Sequence, residues 1–293
     1  MPISRGRLFL FLSQIAQISQ IYIQTLWARS KDLRYQRHQR EINTPARTKI
    51  RKNVPFTFGD VFGISYLCSM KQTMKTFSVY GIAYLVLLMV VIGLLVAYPK
   101  VELHLMLNAC HTDIQDVFFK HYSVLAEWPL YVVALLPLFW KKKEITLFYA
   151  LCELTGGAVV QLLKHLFSAP RPLTVFENYH DLYLPMVEGV HMHHSNSFPS
   201  GHTSTFFVFF TCCALLLAHY YTTRKDLNDR RRCVLCGLSL LLLLALAAVG
   251  GYSRIYLSQH FLSDVCVGSM IGVVVPCLMF YLCGNKILKL NHE

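Results

Sequence analysis

Apolar residues run in six long blocks along this chain, and charge bounds nearly every block. The blocks are Phe77 to Tyr98, Leu125 to Trp140, Ile145 to Phe167, Thr203 to Tyr221, Cys233 to Val249 and Phe261 to Cys283. A membrane-crossing helix needs about 20 mainly apolar residues. The pattern therefore predicts an all-α, polytopic membrane protein with six transmembrane helices. The second block is short and holds Pro129 and Pro137. The third and fourth are less purely apolar, as expected of helices that line a site. Residues 101–124 mix Leu103, Leu105, Val117 and Phe118 with His104, Asn108, His111, Asp113 and Asp116. That mixture predicts short helices on the outer membrane surface rather than a span. Residues 173–198 read as a long polar loop containing His180, Asp181, Glu188, His191, His193 and His194.

Composition agrees with the pattern. Apolar residues make up 54% of the 293 positions and charged residues 15%, against about 25% charged in soluble chains. The net charge of +12 is uneven, because residues 1–69 carry eleven Lys/Arg and three Asp/Glu. Basic residues gather at span ends: Lys71 and Lys75, Lys141 to Lys143, the group Arg224, Lys225 and Arg230 to Arg232, and Lys286 with Lys289. With six spans all four groups share one face, which the positive-inside bias makes cytoplasmic. Both termini then lie inside. Residues 99–124, 168–202 and 250–260 face outward, which in a bacterial inner membrane means the periplasm. Anionic lipid and topology account for the basic charge better than nucleic acid does.

Residues 1–69 form a basic segment distinct from the membrane domain of residues 70–293. Leu8 to Trp27 is moderately apolar but rich in Gln and Ser, and Arg29 to Lys52 is strongly basic. The segment reads either as an interfacial helix or as a poorly ordered stretch ahead of a start at Met70 or Met74. It lacks the clean apolar core of a signal peptide. Of the ten cysteines, Cys152, Cys212, Cys213, Cys266, Cys277 and Cys283 sit inside apolar blocks as small hydrophobes. Cys233 and Cys236 form a lone C-x-x-C with no second ligand pair, and read as packing thiols.

Three polar clusters stand at the outer ends of the blocks. The first holds Lys164 and Arg171-Pro172. The second is Pro199-Ser200-Gly201-His202. The third is Ser253-Arg254 followed by His260 and Asp264. Arg and Lys at a membrane span are costly and point to function, although Lys164 alone reads sooner as snorkelling to the interface. Three cations together match the oxygens of a phosphate. Gly201 lets backbone N–H groups approach an anion, and the helix beginning there adds free N–H groups. Ser200 can donate its hydroxyl, and His202 is placed to protonate a leaving oxygen. His260 and Asp264, four apart, share a helix face. A carboxylate that fixes one imidazole nitrogen leaves the other free to attack phosphorus. Each cluster alone also has a plainer reading as a turn or a helix cap. His191, His193 and His194 form an H-x-H-H with no matched carboxylate or thiol, so no metal is expected there.

Taken in order, Lys-x6-Arg-Pro, Pro-Ser-Gly-His and Ser-Arg-x5-His-x3-Asp closely resemble the type-2 phosphatidic acid phosphatase superfamily, which includes bacterial lipid phosphatases and vanadium haloperoxidases. The resemblance spans roughly residues 75–285 and matches every defining motif position. It implies a lipid phosphatase that needs no metal or other cofactor. It implies that His260 forms a phosphohistidine, that Asp264 orients it and that His202 is the general acid. By the same resemblance Lys164, Arg171, Ser200, Gly201 and Arg254 bind the phosphoryl group. The expected partners are a phosphorylated membrane lipid and the bilayer, with no nucleic acid. The resemblance leaves open lipid A phosphate, undecaprenyl pyrophosphate and phosphatidylglycerol phosphate as substrates, and transfer to an acceptor other than water. The room and polarity of residues 173–198 favour the large sugar headgroup of lipid A.

Overall fold

The computed structural model describes the backbone of residues 58–179, 181–223 and 229–288, and the side chains of residues 70–179, 181–223 and 231–284. Expectations for Leu8 to Trp27, for Arg29 to Lys52 and for His180 fall outside the described residues. Every regular element among the described residues is a helix, with no strand among them. Helix α1 spans Phe58–Ala97, α2 Lys100–Leu107, α3 Asp113–Val124 and α4 Pro129–Leu135, which continues as a 3₁₀ turn over Leu136–Trp140. Helix α5 spans Lys143–Phe167, the single turn α6 Pro172–Phe176, α7 Gly201–Thr223, α8 Asp229–Tyr256 and α9 Leu262–Leu288.

Five of these helices are long and apolar enough to cross a membrane. At about 1.5 Å per residue, the 23 residues of α7 reach about 35 Å, enough for a hydrocarbon core of about 30 Å. Helix α1 begins twelve residues ahead of Met70, so the sequence boundary at residues 69 and 70 falls within a helix.

The expected second span, Leu125 to Trp140, differs from what is observed. The α4 stretch is only seven residues long before it tightens into the 3₁₀ turn. Pro129 starts it and Pro137 lacks the N–H needed to continue an α-helix. Lys141 then closes the turn at φ 58. Helix α3 joins α4 at a 47° bend, and only the two together are long and apolar enough for a broken span or a re-entrant loop. Helix α3 packs against the bundle. The Tyr122 hydroxyl donates to the Leu246 carbonyl, and its ring stacks on Phe206 at 5.4 Å. Helix α2 lays one face on the bundle. Its His104 is buried against Phe176 and Phe261, and Asn108 donates to the Ile255 carbonyl at 2.9 Å.

Contacts fix which helix ends lie together. Thr73 and Thr76, early in the apolar part of α1, bond to His219 and Thr222 near the end of α7. Leu94 and Leu95, late in α1, pack with Leu103, Ile255 and Leu262. The end of α1, the end of α8 and the start of α9 therefore share one side. Because α5 and α8 run toward that side and α7 away from it, Lys71, Lys75, Lys141 to Lys143, Arg231 and Arg232 all lie at the other.

Helix α7 is the centre of the bundle, with fourteen buried residues from Thr203 to His219. Its polar groups pair across helices, as an apolar surrounding requires. Thr211 bonds Tyr80 at 3.0 Å, and Thr205 donates to Glu153 at 2.6 Å. The closest approach is to α9. A Cβ on Gly268 would lie 2.6 Å from the Ser200 carbonyl, and one on Gly272 would lie 2.3 Å from the Phe207 Cβ. The four-residue spacing puts both glycines on one face, and their bare backbone brings the start of α7 against α9.

Candidate active site

Four helix ends meet at one end of the bundle and bring the three sequence clusters together. Helix α5 ends after Lys164 and is closed by Ser168 in the left-handed region at φ 39. This turns the chain sharply, so that Arg171 becomes the N-cap of α6. Helix α7 starts at Gly201. Ser200 caps it, its Oγ accepting from the Thr203 backbone N–H at 3.4 Å and from the Thr203 hydroxyl at 2.8 Å. The Ser200 proton remains to be donated elsewhere. Helix α8 ends just past Arg254, and the backbone N–H groups of Gln259 and His260 both fold back onto the Arg254 carbonyl. That tight turn sets His260 two residues ahead of α9, whose first turn carries Asp264. A backbone bond at 3.0 Å from Ser200 N–H to the Asp264 carbonyl ties the second cluster to the third.

The structure brings all eight candidate residues together. Lys164, Arg171 and Arg254 interact electrostatically with one another and with His202, and Arg171 and Arg254 also act on His260. Arg171 and Arg254 are each only 8% exposed. Burying two guanidinium groups side by side is costly unless an anion joins them. Asp264 supplies one negative charge beside the cations. A phosphate dianion would supply two more, and the free N–H groups at the start of α7 add donors for its oxygens.

His260 and Asp264 are almost wholly buried, with Nδ1 3.6 Å from Oδ2. That is just beyond hydrogen-bond distance, and among the described residues Nδ1 has no hydrogen-bond partner. The Asp264 carboxylate is held in place by other donors. Oδ2 accepts from the Ser197 hydroxyl at 2.6 Å and from the Phe261 N–H at 3.0 Å, and Oδ1 from the Ser263 hydroxyl at 3.1 Å. A small ring movement would complete the pair, and catalytic contacts of this kind commonly tighten when substrate binds. Burial pushes the His260 imidazole down to about 4, opposed by Asp264 and reinforced by Arg171 and Arg254. The ring is therefore neutral at physiological pH and keeps a lone pair. With Nδ1 turned to Asp264, Nε2 carries it.

The site also holds residues with no sequence signal. Ser123 of α3 accepts a short bond from Arg254 Nη1. Glu127, at the bend between α3 and α4, puts Oε1 3.6 Å from His202 Nε2. The bent α3–α4 pair thus reaches both Arg254 and the general-acid candidate. Lys100 of α2 places its Nζ 3.8 Å over the Phe261 ring. Lost hydration lowers its pKa and the nearby Asp264 charge opposes the shift. Gln259 joins Arg171 to the long loop.

That loop is fastened down rather than open. Arg171 N–H donates to the His194 carbonyl, Ser197 N–H to the Ala169 carbonyl, and the Ser258 hydroxyl to the Pro185 carbonyl at 2.7 Å. His191, His193 and His194 remain exposed. His193 lies within electrostatic range of Arg171, Arg254 and Lys164. Its pKa is lowered, first by partial burial and then by those cations. Among the described residues, no group of three His, Cys, Asp or Glu side chains is arranged to hold a metal ion. The nine described cysteines carry free thiols, Cys233 exposed and Cys236 buried.

Comparison with known proteins follows this geometry. Among solved structures, LpxE of Aquifex aeolicus is 26% identical over 63% of this chain and 97% of its own, with a TM-score of 0.46. A transmembrane PAP2 type phosphatidylglycerolphosphate phosphatase of Bacillus subtilis is 18% identical over 72% of this chain and 97% of its own, at 0.48. No curated protein matches. The model of the PAP2 superfamily matches residues 145–288. All three clusters fall inside that match, so residues 145–288 of this multi-pass membrane protein are a PAP2 superfamily region.

Proposed function

We propose that this protein hydrolyses a lipid phosphate monoester through a phosphohistidine on His260. The observation that carries the reading is the pairing of a neutral, buried His260 with two buried arginines and a helix N-terminus at one end of the bundle. Lys164, Arg171 and Arg254 hold the phosphoryl oxygens, helped by the Ser200 hydroxyl and the Gly201 N–H. His260 Nε2 attacks phosphorus, forming the P–N bond as the P–O bond to the lipid breaks. His202 donates its proton to the departing lipid oxygen. It then takes a proton from water, whose oxygen attacks phosphorus, breaks the P–N bond and releases inorganic phosphate. Asp264 holds the imidazole and stabilises its positive charge. The three cations stabilise the transition-state charge, so no metal ion is required. Activity is expected to persist in EDTA, and vanadate is expected to inhibit.

The basic residues opposite the site support an outward-facing site through the positive-inside bias. In a bacterial cell this is the periplasmic face of the inner membrane. The fastened loop of residues 181–198, with exposed His191, His193 and His194, supports a lipid with a large polar headgroup, of the lipid A type. The test is phosphate release by purified protein from a panel of lipid A phosphate, undecaprenyl pyrophosphate and phosphatidylglycerol phosphate. Preference for lipid A phosphate supports the reading. Preference for either other lipid replaces the substrate and leaves the chemistry. Transfer to an added acceptor lipid, without free phosphate, would make the protein a phosphotransferase.

A further inference from the structure

Gln259 stands beside the proposed nucleophile and is only 2% exposed. A buried amide is tolerated where its donors and acceptor are used, and here they are. Its Oε1 accepts from Arg171 Nη1 at 2.9 Å, and its own carbonyl accepts from the same nitrogen at 3.3 Å. On the other side, Nε2 donates to the His191 carbonyl at 3.1 Å and meets Met192 Sδ at 3.1 Å. Arg171 is held from a second direction, because Nε donates to the Ser195 carbonyl at 3.0 Å. Both Nη1 and Nε are therefore spoken for. Among the described residues, Nη2 has no hydrogen-bond partner, and it is the guanidinium nitrogen left for an anion.

From this geometry we infer that Gln259 is a positioning residue for phosphate binding, aiming Nη2 of Arg171 at the phosphoryl group while anchoring the His191–Ser195 segment over the site. Arginine needs such a clamp because its fork is useful only when its plane is fixed. The clamp also ties the rim to the nucleophile's own turn, since Gln259 and His260 share the Arg254 carbonyl as acceptor. The inference rests on the phosphate-binding reading above.

Vanadate binding to purified full-length protein, measured by calorimetry, tests it without relying on turnover. Gln259→Met keeps length and bulk but removes both bonds, and Gln259→Ala serves as a second variant. Each is expected to weaken vanadate binding about tenfold, the usual scale for losing a hydrogen bond to a charged group. In an Arg171→Ala background the same change should have no further effect, because residues acting as one unit are not additive. Additive losses, unchanged binding, or a failure of both variants to fold would overturn the clamp. Failure of the wild type to bind vanadate would overturn the phosphate site itself, and the clamp with it.

Discussion

Gly268→Ala tests whether close helix packing sets the geometry of the site. The new Cβ would lie 2.6 Å from the Ser200 carbonyl and 3.2 Å from the Thr203 Cβ. Ordinary contact begins at 3.4 Å, so the start of α7 must retreat by about 0.8 Å. That start carries Ser200, Gly201 and His202, whereas His260 and Asp264 stay with α9. The two halves of the site would separate. A displacement near 1 Å can cost about 100-fold in rate, which is the expected loss of specific activity. Overpacking costs about 1–3 kcal/mol, partly offset by about 1 kcal/mol of helix propensity gained over Gly. The melting midpoint in detergent should therefore fall only slightly. Gly81→Ala in α1 is the control, since nothing lies within 4 Å of its Cβ. The assay is phosphate release in mixed micelles beside a melting curve. If Gly268→Ala retained activity within twofold of Gly81→Ala, the packing argument would fail.

Other expectations follow from the same contacts. Because burial pushes His260 down to about 4, the acid limb of kcat should lie near pH 4 rather than 6.5, and Arg171→Gln should move it upward by removing a cation that opposes protonation. His104 is likewise pushed down by burial to about 4. The unfolded chain takes up both protons near pH 6.5 and the folded protein does not. Melting midpoints should thus fall as pH drops from 6.5 toward 4, and a flat profile would contradict the neutral buried rings. Ser123→Ala removes the Arg254 Nη1 acceptor and should raise KM about tenfold with a smaller change in kcat. An unchanged KM would show that α3 does not support the site.

The long helices were legible because membrane spans announce themselves by length and apolarity. Helix α7 differs from its apolar block by only two residues at either end. The bent α3–α4 pair was not legible. Asp113, Asp116 and Lys120 lower the apolarity of α3, and Pro129 and Pro137 cut α4 short, so neither half reads as a crossing alone. The eight candidate site residues carry chemistry at fixed spacing and could be found in the chain. Ser197, Ser123 and Gln259 could not, because a single Ser or Gln has no spacing to mark it. Their partners are 67, 131 and 88 positions away. Only the folded chain shows that Ser197 rather than His260 makes the shortest bond to Asp264.

The most direct test of the central claim is to trap the intermediate. Purified protein is mixed with a lipid monophosphate labelled on phosphorus, quenched in alkali, digested and mapped. Label should appear on the peptide containing His260, be released by acid, be absent from His260→Ala and accumulate in His202→Ala, which lacks the group that activates water for the second step. Turnover with no label on His260, or near-normal phosphate release by His260→Ala, would contradict the mechanism.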